Sequence, residues 1–157
     1  MTITSLEPRT LHTLVRELAD TPDFWKPHVA YQSPGRYWAK LVTRPDLDVW
    51  LLTWLQEQGT QFHDHGNSHA AFAVVAGELT EVRPSTFGPG YSRRRLGTGD
   101  TATVEPYAIH DVVNRSPSPA ISIHAYSPPL HAMTFYERAS DGLIPTYREN
   151  IVDGVRP

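Results

Sequence analysis

From Arg36 onward the hydrophobic residues repeat with a period of two, in short runs broken by glycine and proline. Trp50, Leu52 and Trp54 alternate with Val49, Leu51 and Leu55, so this run has apolar residues on both faces and should be covered on both sides. Similar runs occupy 36–42, 48–55, 61–65, 71–75, 79–83, 92–96, 101–104, 110–114, 120–125 and 134–136. The first two form a hairpin around Arg44-Pro45-Asp46. Breaks fall at Gly77, 84–90, 97–100, Pro106 and 116–119. Many short strands with such turns predict an all-β fold, a small closed barrel or sandwich. Ahead of it, Leu11, Leu14, Val15 and Leu18 recur at helical spacing, with Thr10 as N-cap and Pro22 as the stop. Residues 23–28 add a further turn of helix before Pro34-Gly35.

A length of 157 residues argues for one domain, and 39% hydrophobic residues suffice for a core. The expected layout is a helical lead-in at about 8–30, a barrel at about 36–138 and a polar surface tail with a frayed end. Net charge is −3, and Arg93-Arg94-Arg95 is a basic cluster without interleaved aromatics. It reads as a solvent-facing strand or turn, so no nucleic-acid partner is expected. The absence of cysteine excludes a disulfide, a zinc-thiolate site and a cysteine nucleophile, and fits a reducing cytoplasm. No apolar signal core or membrane-length run occurs, so no membrane association is expected. The expected assembly is a monomer or a weak homo-oligomer.

Chemistry concentrates at Phe62-His63-Asp64-His65-Gly66-Asn67-Ser68-His69. On a strand, His63 and His65 share one face, about 7 Å apart along the chain, while Phe62 and Asp64 face the other way. Converging imidazoles at that spacing can share a metal; the competing reading is a pair of satisfied or exposed histidines. A second histidine strand follows a glycine turn: Gly99 to Asn114, with His110 near its end. This pattern, with Gly77, resembles the two metal-binding motifs of cupins. The glutamate that cupins supply seven residues before this glycine is Ala70 here. The resemblance therefore implies a metal site of His63, His65 and His110 with no carboxylate. Three neutral imidazoles leave a divalent ion its full charge, which favours an anionic substrate and a deprotonated thiol.

A third segment, Ser122-Ile123-His124-Ala125-Tyr126-Ser127-Pro128-Pro129, places Ser122, His124 and Tyr126 on one side of a strand. No nucleophile elbow accompanies the serine, so hydrolase chemistry is a poor reading. With His-Asp-His-Gly-x-Ser-His, Gly-Glu-Leu-x-Glu and His-Asp-Val-x-Asn, this segment is similar to the cysteine dioxygenase family, from about Tyr37 to Arg138. That resemblance implies an Fe(II) thiol dioxygenase acting on a small thiol and O2, with L-cysteine the first candidate. It implies a Ser122–His124–Tyr126 relay in which Tyr126 reaches substrate and oxygen, and a cis Ser127–Pro128 bond. The cysteine that many members link to the tyrosine is also Ala70 here, so Tyr126 is an unmodified phenol. The family's carboxylate-binding arginine, two residues after a tyrosine matched to Tyr37, is Ala39. The arginine of members acting on 3-mercaptopropionate falls at Met133. Arg36 or Lys40 can substitute through a shifted or bulged strand, or else they are ordinary solvent-facing charges. Alternatives are another mercapto acid as substrate, or a non-catalytic cupin that senses a metal or ligand. His69 lies at the pocket rim or is structural.

Overall fold

The computed structural model describes residues 4–151. Residues 152–157, where the tail was expected to fray, lie outside the described residues. Helix α1 (Pro8–Ala19) is followed by one turn, α2 (Pro22–Trp25), and a 3-10 turn at Lys26–His28. α1 starts earlier than the Thr10 cap predicts: Pro8 takes the first helical position after Glu7, where its missing N–H costs nothing. No helix among the described residues is long and apolar enough to cross a membrane.

The strands are β1 (Trp38–Arg44), β2 (Leu47–Trp54), β3 (Phe62–His63), β4 (His69–Ala76), β5 (Glu78–Pro84) and β6 (Tyr91–Gly97). Then come β7 (Thr101–Val104), β8 (Asp111–Val113), β9 (Ala120–Ser127), β10 (Ala132–Ala139) and β11 (Gly142–Asn150). One sheet runs β1-β2-β9-β4-β7; two smaller sheets run β11-β10-β3 and β6-β5-β8. Isolated bridges Gly59–Val113 and His63–His110 connect the smaller sheets. The tail read as a polar surface segment is thus partly a strand: β11 pairs along β10 from Ala132–Asn150 to Ala139–Gly142. Its side chains are mostly exposed, which hides it from a hydrophobic pattern.

Two apolar layers follow from strand alternation. Trp50, Leu52 and Trp54 of β2, Phe72 and Val74 of β4, and Tyr126 of β9 point into the barrel, where Leu79, Leu96, Val112, Met133 and Phe135 meet them from the smaller sheets. The intervening residues, among them Val49, Leu51, Ala71, Ala73 and Ile123, form the other layer, which Leu11 and Val15 of α1 cover. Leu11 and Val15 have no exposed surface. Each contributes on the order of 1.5–3 kcal/mol by leaving water. The double coverage of β2 read from its sequence has this origin.

The Ser33–Pro34 and Ser127–Pro128 bonds are cis. Gly77 turns the chain from β4 into β5 at φ +74°, and a Cβ there would stand 2.5 Å from the Pro119 carbonyl oxygen and 2.8 Å from Ala120 Cα. We therefore predict that Gly77→Ala destabilises the fold by at least about 1–2 kcal/mol, lowering Tm by about 2–8 °C. Gly35→Ala, where a Cβ meets nothing, is the control. A calorimetric scan in which both variants melt with the wild type would contradict this account of the turn.

Candidate metal centre

His63 and His110 are opposite partners on antiparallel segments. His63 N–H donates to His110 O at 3.0 Å, and His110 N–H donates to His63 O at 3.1 Å. His65 lies beyond the end of β3, which covers only two of the residues expected in that strand. Asp64 anchors this departure from the side away from the imidazoles. Its carboxylate accepts from Gly66 N at 2.9 Å, Thr134 N at 3.3 Å and the Tyr136 hydroxyl at 2.7 Å. Ser68 holds the next turn, donating through Oγ to the Pro128 carbonyl at 2.8 Å.

The three imidazoles converge, with ring centres 4.7–5.1 Å apart and each residue 2% exposed. Their candidate ligand atoms all lie within 4.8 Å of one another. Burial, reinforced by the neighbouring histidines, holds His63 and His65 well below the usual histidine range, so both are neutral. His63 donates its Nδ1 proton to Gln61 O at 2.8 Å, which leaves a lone pair on Nε2. That Nε2 stands 3.1 Å from His65 Nε2. Two imidazole nitrogens each ~2.1 Å from one ion would be ~3.0 Å apart at a right angle and ~3.4 Å at the tetrahedral angle. The donor set therefore fits a divalent metal. The cluster contains no carboxylate among the described residues. Ala70, the position of the absent glutamate, faces the interior directly opposite Tyr126.

Behind His110 stands Glu81, the last residue of the Gly-Glu-Leu-x-Glu motif, to which spacing alone assigns no role. Glu81, 2% exposed, accepts from His110 Nδ1 at 2.8 Å and from Arg83 and Arg94 at 2.9 and 3.1 Å. Burial alone would raise this carboxyl, but the bonds and charges of His110 and Arg83 outweigh it and hold it at about 2. A signal was available: Glu81 is in phase with Leu79 on β5, and an acid in phase with a buried leucine needs a partner.

Ser122, His124 and Tyr126 share the interior face of β9. Trp54 Nε1 donates to Ser122 Oγ at 2.9 Å, and the same Oγ shares a hydrogen bond of 2.7 Å with His124 Nε2. His124 is neutral. Burial is the main reason that it titrates at about 3, helped by the charges of His110 and Arg36. Its ring stacks on Phe72 at 4.8 Å. The contact from His124 to Tyr126 is between near-parallel rings at 6.3 Å, not the hydrogen bond that a relay implies. Tyr126 lies 5.2 Å ring to ring from His65, and burial pushes its phenol far above the usual range. It is a proton donor at any physiological pH.

The expected substrate contacts divide. Tyr37 packs in the helix-covered layer, not in the barrel, so its assignment to the site is corrected. Trp38 takes the interior place one residue on. Ala39 pairs with Leu51 of the outer layer, whereas Lys40 pairs with Trp50 of the interior. A bulge between Lys40 and Val42 then turns both Leu41 and Val42 outward. Lys40 Nζ is 3.3 Å from Asp48, which is 2% exposed, and lies over the Trp50 ring. Arg36 lies over Trp54, its guanidinium carbon 4.7 Å from the ring centre, and its charge is felt at His63, His124 and Tyr126. A cavity of about 680 Å³ opens beside it, lined by Arg36, Trp38, Gln61, Met133, Phe135 and Tyr147 among others. His69 begins β4 opposite Ser127.

Comparison with known proteins agrees with this geometry. Human cysteine dioxygenase type 1 is 29% identical over 155 residues, covering 80% of this chain and 78% of the human one. A solved Klebsiella pneumoniae protein with a double-stranded β-helix domain superposes with a TM-score of 0.58 at 19% identity, over 66% of this chain and 80% of that one. A Thermus thermophilus protein gives 0.59 at 21%, over 66% and 92%. These two likenesses show the double-stranded β-helix fold. The family model described as cysteine dioxygenase type I matches residues 5–139, and the chain belongs to that family.

Proposed function

We propose that the protein is an Fe(II)-dependent thiol dioxygenase, converting a small carboxylate-bearing thiol and O2 into the sulfinate. The reaction balances as RSH + O2 → RSO2⁻ + H⁺, and L-cysteine is the first candidate substrate. The observation that carries this reading is the closed cluster of His63, His65 and His110 with the Tyr126 phenol beside it.

His63, His65 and His110 would hold the ion through three nitrogens and leave the remaining positions to ligands from outside the protein. The bound iron supplies the activation of oxygen and sulfur. The chain does the rest. Tyr126, protonated, offers its hydroxyl hydrogen to an oxygen atom of substrate or O2. Ser122 holds the His124 ring through their hydrogen bond, and the flat face of His124 backs the tyrosine ring. Arg36, spread over Trp54, would meet the substrate carboxylate; its charge over the ring and beside the cavity supports this reading. Lys40, beside the buried Asp48, is the second candidate. Met133, Trp38 and Trp50 wall the interior with apolar surface. A metal-sensing role has less support, since metal retention alone does not call for a buried Ser122–His124 pair or an oriented phenol.

Oxygen uptake by iron-loaded protein across L-cysteine, 3-mercaptopropionate and cysteamine tests the proposal. Thiols with a carboxylate should support turnover, and cysteamine, which lacks one, should be poor. Arg36→Gln should lower kcat/KM by roughly 10–100-fold for the good substrates, matching the loss of one charged hydrogen bond, with little change for cysteamine. An equal loss on all three would remove Arg36 from carboxylate binding. Tyr126→Phe should lower kcat/KM by roughly 10–10³-fold with iron content retained. His110→Ala should lose iron and activity together. Full activity of Tyr126→Phe would make the phenol a packing residue.

A further inference from the structure

The imidazoles of His63 and His110 have unlike partners behind them. His63 Nδ1 donates to an uncharged acceptor, the backbone carbonyl of Gln61. His110 Nδ1 donates to Glu81, a carboxylate. A carboxylate that also accepts from two arginines takes the Nδ1 hydrogen of His110, which leaves Nε2 as the ring nitrogen available to the cluster. Glu81 stands opposite Val112 on the neighbouring strand β8, close enough to reach across to His110. Arg83 and Arg94 close over its far side, each donating through an Nη2 hydrogen.

The geometry points to Glu81 as a positioning residue for the metal. It locks the tautomer of His110, aims Nε2 inward, and places one negative charge a hydrogen bond behind the ligand. Ala70 offers the centre no carboxylate from within; Glu81 returns that charge from outside the ligand set. This inference rests on the reading that the cluster holds a metal. Its physical basis is that a carboxylate behind a metal-bound imidazole raises the donor strength of the ring and fixes its orientation. The rival is a purely structural Glu81 that stitches β5 to β6 and β8. A structural role would shift the melting temperature but leave the metal affinity of the folded protein unchanged.

Ring-nitrogen NMR on the metal-free wild type reads the tautomer directly: His110 should carry its proton on Nδ1. Co(II) affinity, measured by competition with a chelator, reads the charge. Glu81→Gln keeps shape and an acceptor while removing the charge, and should bind Co(II) about 10–100-fold more weakly, with an altered visible spectrum. An unprotonated Nδ1 on His110, or equal Co(II) affinity of the folded Gln variant and the wild type, overturns the inference. Should Glu81→Gln fail to fold, the wild-type tautomer decides alone. If the wild type itself binds no Co(II), the metal reading falls first, and the two failures are thereby told apart.

Discussion

The centre depends on a pair of backbone hydrogen bonds between His63 and His110, at 3.0 and 3.1 Å. β3 and β8 belong to different small sheets, and this bridge is one of two isolated ones across the seam among the described residues. In an antiparallel ladder such a doubly bonded pair brings two Cα atoms to about 5.5 Å with side chains on the same face. Two candidate ligands thus meet by main-chain geometry, before any side-chain preference acts. His65 is delivered differently, by a turn that the Asp64 carboxylate pins to β10 through Thr134 and Tyr136. One residue of the motif supplies the grip, and its neighbours on either side supply the imidazoles.

Placing so many polar groups inside a barrel of tryptophans is costly unless each finds a partner. Most do, and the partners share a logic. Glu81 binds His110, the Gln61 carbonyl binds His63, Ser122 binds His124, and Trp54 binds Ser122. The Gln61 carbonyl and the Glu81 carboxylate each hold a proton on the Nδ1 that faces them, and burial keeps His63 and His124 neutral. The buried phenol of Tyr126 is protonated for the same reason, loss of solvent around the charged form. Arg36 and Lys40 bring positive charge to the rim, where each lies over a tryptophan ring and Lys40 also meets the buried carboxylate of Asp48.

Much of the fold was legible because strand periodicity and turn residues are local. The period of two from Arg36, the break at Gly77 and the apolar pairs of β2 all reflect side chains facing one of two layers. β11 escaped because its side chains are mostly exposed and carry no apolar alternation. The histidines stood out because spacing of two on one segment, and a third on another, is a chemical pattern visible without coordinates. Tyr37 was misplaced by one residue, and a single step reverses the face of every side chain on a strand. The bulge after Lys40 is a three-dimensional feature that no residue in 38–42 announces. Glu81 was overlooked because its partner lies 29 positions away on another strand. The stacked rather than hydrogen-bonded contact between His124 and Tyr126 likewise depends on ring orientation, which alternation leaves open.

The central claim is that this histidine centre places both atoms of O2 on a thiol sulfur. Isotope labelling tests it most directly. Iron-loaded protein is turned over with L-cysteine or 3-mercaptopropionate under ¹⁸O₂, and the product mass is read. The account predicts a sulfinate in which both oxygen atoms carry the label, formed in equal amount to the O2 consumed. Disulfide as the product, a sulfinate with a single labelled oxygen, or no uptake of O2 with any thiol would contradict it.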